Sequence, residues 1–483
     1  MPSESEQEIP RGPIVRDAEA APTSERRGQR GHRAFADLSQ GNIPRHTFRL
    51  AWPQVTEQTL NNIQQIVETF WAGRLAGGFR AVAALGVSQT FTRVAQDARM
   101  GMEQGNRAMI ARAVGAGNVE LANLIALQAF VISAAYSFLM VLIGQFLTDI
   151  ALNAVGVSQA IHNQAALYMR IQFMGMISTA FRLTAASALQ ASGDDMVPLR
   201  ATSVARVIQF ALSPVFMFGW VGFPAMGLAG AALGNLVSQT AGAFICLYML
   251  FFGQTRLRLT LRGFHLDWGI IRSLLKIGAP ASASGMERAL SQLVLLKIVS
   301  PFGDVALAGY GITRRLEMVI NWGGQGVGQA TGIMVGQNLG AKRPDRAKSS
   351  VVWGVILVTA FRVVTAIPLV FFPALVVILF TNEPGVVSLT ATWLRLLALA
   401  SLFMGGAGIF TAAFNAAGDT LTTMTIMLTT VLLVEIPSAW LYCNQLGAGP
   451  LGIGWANVTG MAVRMSIFVP LYFRGRWLKR KVI

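Results

Sequence analysis

Charged side chains make up only 13% of these 483 residues, and just 23 of them are acidic against 39 Lys and Arg. So little charge, beside 53% hydrophobic residues and a mean hydropathy of +0.51, excludes an ordinary soluble domain of this length. Cysteine is almost absent. Cys246 and Cys443 show neither CxxC nor metal-ligand spacing, which leaves no disulfide framework or zinc motif, and both read as apolar filler. There are four histidines, no HExxH, no P-loop and no filter-like stretch, so neither an enzyme nor a channel is indicated and no cofactor is expected. Residues 1–46 lack the apolar run of a signal peptide and carry mixed charge, from Glu4, Glu6 and Glu8 to Arg26, Arg27, Arg30 and Arg33; a disordered cytoplasmic tail is expected there.

What the chain does have is apolar length. Twelve stretches near twenty residues or more, from about 47–76 to about 451–473, are each long enough to cross about 30 Å of hydrocarbon. They fall into two sets of six. Val114-Gly115-Ala116-Gly117-Asn118 is echoed by Leu339-Gly340-Ala341-Lys342-Arg343, and Ser192-Gly193-Asp194 by Ala417-Gly418-Asp419, both 225 positions later. One shared register for two turns between long apolar runs points to an internal duplication. Six helices return each repeat to its starting side. The fold expected is therefore all-α and membrane-integral, with twelve transmembrane helices in two parallel six-helix repeats about a pseudo-two-fold axis along the membrane normal. The boundaries expected are an N-terminal lobe at 47–252, a basic linker at 253–267, a C-terminal lobe at 268–475 and a basic tail at 476–483.

Orientation follows from where the positive charge lies. Arg256, Arg258 and Arg262, the segment from Lys342 to Lys348, and the tail from Arg474 to Lys481 mark one side as cytoplasmic, with both termini on it. The loop around Arg74 and Arg80 breaks the pattern. Net charge of +16 is then a topology signal and an attraction to lipid headgroups, with no need for a nucleic-acid partner.

The polar residues inside the spans carry the chemistry. Gln54, Gln58, Asn61, Gln65 and Glu68 advance by four and three along one helical face, with Glu57 and Gln64 beside it. Such a stripe is costly against lipid and should face the bundle interior or a water-filled cavity. An intramembrane carboxylate such as Glu68 can take a proton, or bind a small cation when other oxygens complete the shell. In the second span Gln89, Arg93, Asp97, Gln104 and Arg107 form another stripe, with Arg93–Asp97 and Arg99–Glu103 spaced as ion pairs. Arg170, Arg182 and Arg206 add positive charge to the first half. In the second half Glu287 is another protonation candidate, with Ser284, Ser291 and Gln292 near its side. Gly324, Gly328, Gly332, Gly336 and Gly340 form a close-packing ladder beside Asn321, Gln325 and Gln329. Glu317 reads as paired with Arg314 or Arg315, and Glu435 with Arg464.

Taken in order, Trp52-Pro53, Val67-Glu68-Thr69, Ala113 to Asn118 and Ala188 to Asp194, then Gly278-Ala279-Pro280, Val335 to Ala341 and Ala416 to Thr420, resemble the multidrug and toxic compound extrusion (MATE) transporters over about residues 47–475. That resemblance implies an antiporter of two six-helix lobes around a central cavity, exporting organic cations or amphipathic drugs for entering protons or sodium ions by rocker-switch alternating access. It implies a small-molecule substrate, a bacterial inner-membrane location and a protein acting as a monomer. Pro53 matches a first-helix hinge, and Glu68 a coupling aspartate. Gln209, Ser213 and Asn235 stand where members carry an asparagine, a second aspartate and a hydroxyl residue. With one carboxylate instead of two, protons are favoured over Na+ at Glu68. Glu287 approximates a second-lobe acid, whereas Met404 and its neighbours offer no partner acid. Asn61, Gln65, Gln89, Asp97, Gln325 and Gln329 are cavity-lining candidates. The first-lobe arginines leave a second reading open, a flippase for an anionic lipid-linked substrate.

Overall fold

The structure, a computed structural model, describes residues 38, 40–253 and 255–480. Residues 1–37, most of the tail expected to be disordered, lie outside the described residues. Twelve long helices run through the rest. The first six are α1 (Ile43–Gly73), α2 (Gly78–Gly115), α3 (Val119–Phe146), α4 (Gln159–Ser192), α5 (Met196–Phe218) and α6 (Leu228–Phe252). The second six are α7 (Trp268–Val299), α8 (Asp304–Gly340), α9 (Pro344–Phe371), α10 (Pro384–Ala416), α11 (Thr420–Gln445) and α12 (Gly452–Arg474). The duplication extends to detail. A short helix follows the third long helix of each half, Thr148–Val155 and Pro373–Ile378, and the two begin 225 positions apart.

Local chemistry sets the helix ends. Asn42 accepts from the Arg45 amide at 3.4 Å and Pro44 occupies the first turn, so α1 begins at Ile43, four residues before the expected boundary. Asp267 caps α7 through the Gly269 and Ile270 amides. The backbone turns left-handed at Gly117 (φ +75°), and at the matching place in the second half Lys342 does the same (φ +57°) without glycine's freedom. Pro437, which has no N–H to donate, lies between two widened π-helical turns of α11, Val431–Glu435 and Leu441–Gln445.

Among the described residues, α3, α5, α6, α9, α10 and α11 are apolar enough over their length to cross a membrane on composition alone. The other six carry the polar stripes, and four of those form the seam between the halves. α1 packs on α8, and α2 packs on both α7 and α8. Each half thus lends its first helix to the other half's second helix, and polarity that would be costly against lipid lies inside the protein.

At the face where α1 starts and α12 ends, the seam is closed by the duplicated glycine turns meeting each other. A methyl group in place of the Gly115 hydrogen would sit 2.0 Å from the Gln337 carbonyl oxygen, and one on Gly340 would sit 2.1 Å from the Arg112 carbonyl oxygen. Gln337 is itself the repeat counterpart of Arg112, so the two contacts are one contact made twice. Between them, Gly336 packs on Ala111, again its own counterpart, which places the pseudo-two-fold axis at that pair. Gln337 Nε2 donates to the Ala191 carbonyl at 2.7 Å, and Arg112 Nη1 to that of Ala417 at 3.4 Å, tying the remaining turns to the same face. Leu38, Phe414, Tyr472 and Trp477 are buried in the apolar cluster behind it.

Candidate functional site

The polar stripe of α1 leads into a connected network inside the first half. Glu68 is buried, with Oε1 accepting from the Tyr168 hydroxyl at 2.8 Å and Oε2 from Gln64 Nε2 at 2.7 Å. Tyr168 accepts in turn from Gln172 Nε2 at 2.7 Å, and Gln172 Oε1 accepts from Asn235 Nδ2 at 2.7 Å. Gln239 bonds Asn235 at 3.4 Å and accepts from Arg182 Nε at 2.6 Å. Arg182 reaches Thr202 at 3.0 Å and stands 3.7 Å from Glu57, whose oxygens accept from Thr202 at 2.8 Å and from Gln190 at 3.2 Å. The chain ends at the seam, where Arg107 donates to Gln190 at 3.3 Å and to Gln329 of α8 at 3.0 Å. One hydrogen-bonded path therefore joins Glu68 to the second half. In so dry a setting each member depends on its neighbours, because an unpaired buried polar group is expensive.

The residues expected around Glu68 divide. Arg206 lies close enough to act electrostatically on Glu68. Its guanidinium bonds Gln209, and donates to Asn61 from Nε at 3.2 Å and Nη2 at 2.9 Å. Asn235 joins through Gln172 and Tyr168, and Gln89 lies beside the Tyr168 hydroxyl. Ser213 is buried against Gly234 and makes no bond to Glu68. Gln65 is exposed, at the edge of the stripe and not within the network. Asp97 is half-buried at the α2–α7 contact, near Arg93 and Arg288. α1 runs as one helix through the buried Pro53. Among the described residues no three His, Cys, Asp or Glu side chains converge as metal ligands.

The second half holds a cavity of about 270 Å³ between α2, α7, α8, α9, α10, α11 and α12. Glu287, Gln325 and Gln329 line it, together with Glu317, Glu435 and five arginines, Arg107, Arg288, Arg314, Arg362 and Arg464. Arg314 pairs with Glu317 at 2.6 Å, as the spacing suggested. Arg464 departs from expectation. Its Nη2 stands 3.8 Å from Glu287, and its Nε donates to Thr430 at 3.0 Å, instead of pairing with Glu435. Glu435 lies in the widened turn of α11, which shifts the side-chain register that a regular helix would give. Of the two pairs expected in α2, Arg99–Glu103 forms, whereas Arg93 is exposed and bonds no carboxylate.

The sequence patterns above do not mark Tyr168 or Arg362. Tyr168 and Gln172, like Asn235 and Gln239, stand four apart on their helices, a spacing that could have marked a polar face. Arg362 is the lone charge deep in the apolar run of α9, which was the available signal.

The MatE family model matches this chain twice, over residues 53–215 and 280–441, once in each half. The chain belongs to the MatE family. Several of its relatives are named as probable multidrug resistance proteins. A probable multidrug resistance protein NorM of Thermotoga maritima is 23% identical over 442 residues, 91% of this chain and 94% of that one. An FAD transporter of Shewanella oneidensis is 24% identical, covering 77% of this chain and 82% of the other. Among solved structures, an outward-facing multidrug resistance MATE family transporter of the MOP superfamily superposes with a TM-score of 0.86 at 19% identity, over 93% of this chain and all of the other. That likeness fixes the twelve-helix fold. MatE proteins are transporters and not enzymes, and this MatE chain is a multi-pass membrane transporter whose interior holds the polar network and the cavity.

Proposed function

We propose that this protein is a secondary antiporter that exports amphipathic organic compounds in exchange for protons, with Glu68 as the coupling carboxyl. The observation that carries the reading is the burial of Glu68 against Tyr168 and Gln64, at the head of a path that ends on the other half. A carboxyl so placed has two states that differ by a full charge. As a carboxylate it accepts two hydrogen bonds and attracts Arg206; once protonated it keeps the bonds in altered strength and no longer attracts Arg206. The second state loosens the hold of the cluster formed by Arg206, Asn61 and Gln209 on α1. A proton thereby biases how α1 packs between the halves, which is the differential interaction that alternating access requires.

Sodium fits less well. The oxygens of Glu68 already accept two donors, and Arg206 repels a second cation. The bodies that rock are the lobes at 47–252 and 268–475, joined by the linker at 253–267 and flexing near Pro53, in a monomer in the bacterial inner membrane. The sealed face carries the Lys342–Lys348 segment, the start of α1 and the end of α12, so it is read as cytoplasmic and the conformation as outward-facing. The test is transport of a fluorescent amphiphile in proteoliposomes under separate proton and sodium gradients. Proton-driven transport lost in Glu68→Gln supports the reading; equal drive by sodium, or an unchanged variant, overturns it. The five cavity arginines favour a second reading, lipid-linked anion flipping, in which scrambling proceeds without export of the soluble amphiphile.

A further inference from the structure

We infer that the cavity of the second half is a binding site for the anionic group of an amphipathic organic anion, a phosphate or similar oxyanion, and that Arg362 is the cation that receives it. This rests on the export reading above for its purpose, but not for its evidence. Arg362 is only 3% exposed and lines the cavity from α9. Its Nη2 donates to Asn321 at 2.8 Å, while Nε and Nη1 are buried with no hydrogen-bond partner. No carboxylate forms an ion pair with it among the described residues. A guanidinium buried with two nitrogens, and so three N–H groups, unpartnered costs the fold substantially, and such a group calls for a partner.

The surroundings are shaped to hold that side chain where it is. A methyl group on Gly324 of α8 would sit 2.7 Å from Arg362 Nη2, and one on Gly405 of α10 would sit 3.3 Å from its Cγ. Two glycines on flanking helices thus form the slot through which the arginine reaches the cavity, and the rung of the glycine ladder at Gly324 is explained by it. The charge of the lining points the same way. Five arginines meet three glutamates, and Arg107 and Arg288, like Arg362, form no ion pair among the described residues. Guanidinium forks match oxyanions in bidentate geometry, which a hydrophobic cation cannot use. The rest of the wall supplies the apolar half of an amphiphile: Met100, Met404, Met427 and Met461 are flexible side chains that adapt to varied ring systems.

The test needs binding alone, so its failure leaves proton coupling at Glu68 standing, and failure of coupling leaves this site standing. Purified protein in phosphatidylcholine nanodiscs is dialysed against 4-methylumbelliferyl phosphate and against 7-methoxy-4-methylcoumarin, which has the same ring without the charge. The phosphate is expected to bind about tenfold more tightly or better, and Arg362→Gln to bring it down to the level of the uncharged ring. Gly324→Ala, which keeps the charge but fills the slot, is expected to reduce the same ratio, while Arg362→Lys retains part of it. The melting temperature separates a ligand site from a structural one: removing an unpaired buried charge should leave Arg362→Gln at least as stable as the native protein. Repeating the dialysis with phosphatidylglycerol in the disc identifies the source of the anion. Competition lost in Arg362→Gln assigns the site to a headgroup, and absence of competition assigns it to a soluble anion. A ratio near one in the native protein, or one unchanged in Arg362→Gln, overturns the proposal.

Discussion

Tyr168 of α4 donates its hydroxyl to Glu68 of α1 at 2.8 Å while accepting from Gln172, so the coupling candidate is tied to the α4–α6 packing through a single phenol. Removing one donor from a buried carboxylate costs about 1.5–3 kcal/mol when the acceptor is charged. Tyr168→Phe should therefore slow proton-driven transport in proteoliposomes by roughly tenfold or more without abolishing it. Glu68→Gln should remove the response to the gradient altogether. A Tyr168→Phe protein that transports at the native rate would show that the phenol plays no part in coupling.

The Gly115 and Gly340 contacts make a second expectation, because both sit where the halves meet. An added methyl at either place overlaps a carbonyl oxygen on the opposite half, at 2.0 and 2.1 Å, so the seam must part by more than an ångström to admit it. Overpacking of this kind costs about 1–3 kcal/mol. Since only the sealed arrangement bears that cost, Gly115→Ala and Gly340→Ala should each shift the protein toward the form open at this face. Distances between spin labels placed at the ends of α2 and α8 would lengthen in both variants. Distance distributions matching the native ones would remove the turns from any gating role.

Lys342 offers a check on the duplication itself. It occupies the left-handed conformation that its counterpart Gly117 adopts freely, and a residue with a Cβ pays about 1–2 kcal/mol there. Lys342→Gly should regain roughly 1 kcal/mol, less what glycine loses to its greater freedom in the unfolded chain. The readout is a melting temperature raised by a degree or more in detergent, with transport unchanged. A lowered melting temperature would mean that the lysine side chain makes a compensating contact.

Much of the frame could be read from the chain because repetition and hydropathy act over long stretches. The register of Gly115 with Gly340 identifies two halves. The polar face of α1 was visible in the steps from Gln54 to Glu68. What could not be read is what depends on contacts between helices. Nothing in sequence says that Tyr168 meets Glu68 from a hundred residues away, or that Gly324 faces an arginine 38 positions later in the chain. The π-helical turn at Glu435 is a further example: a regular helix supports pairing with Arg464, and one widened turn redirects the side chain. Gln65 shows the reverse case, since it keeps the helical step of the stripe and yet lies on its exposed edge.

Asp195 gives the pH-dependent expectation. It lies in the turn between α4 and α5, outside the spans, with Oδ1 accepting from Gln54 Nε2 at 2.8 Å and Oδ2 buried without a partner. Burial pushes its carboxyl well above the usual carboxylate range, and the Gln54 bond offsets only part of that. An acid raised on folding binds its proton more tightly in the folded state. Its contribution is therefore fully present below the unfolded value near 4, and it declines as pH rises through the interval up to the raised folded value. Asp195→Asn keeps an oxygen for Gln54 to donate to and cannot ionise. The variant should melt at the native temperature or slightly below near pH 4 and above it at neutral pH, so the two melting curves against pH should diverge as pH rises. Parallel curves would show that Asp195 is ionised at no cost, and that some group in the sealed face compensates its charge.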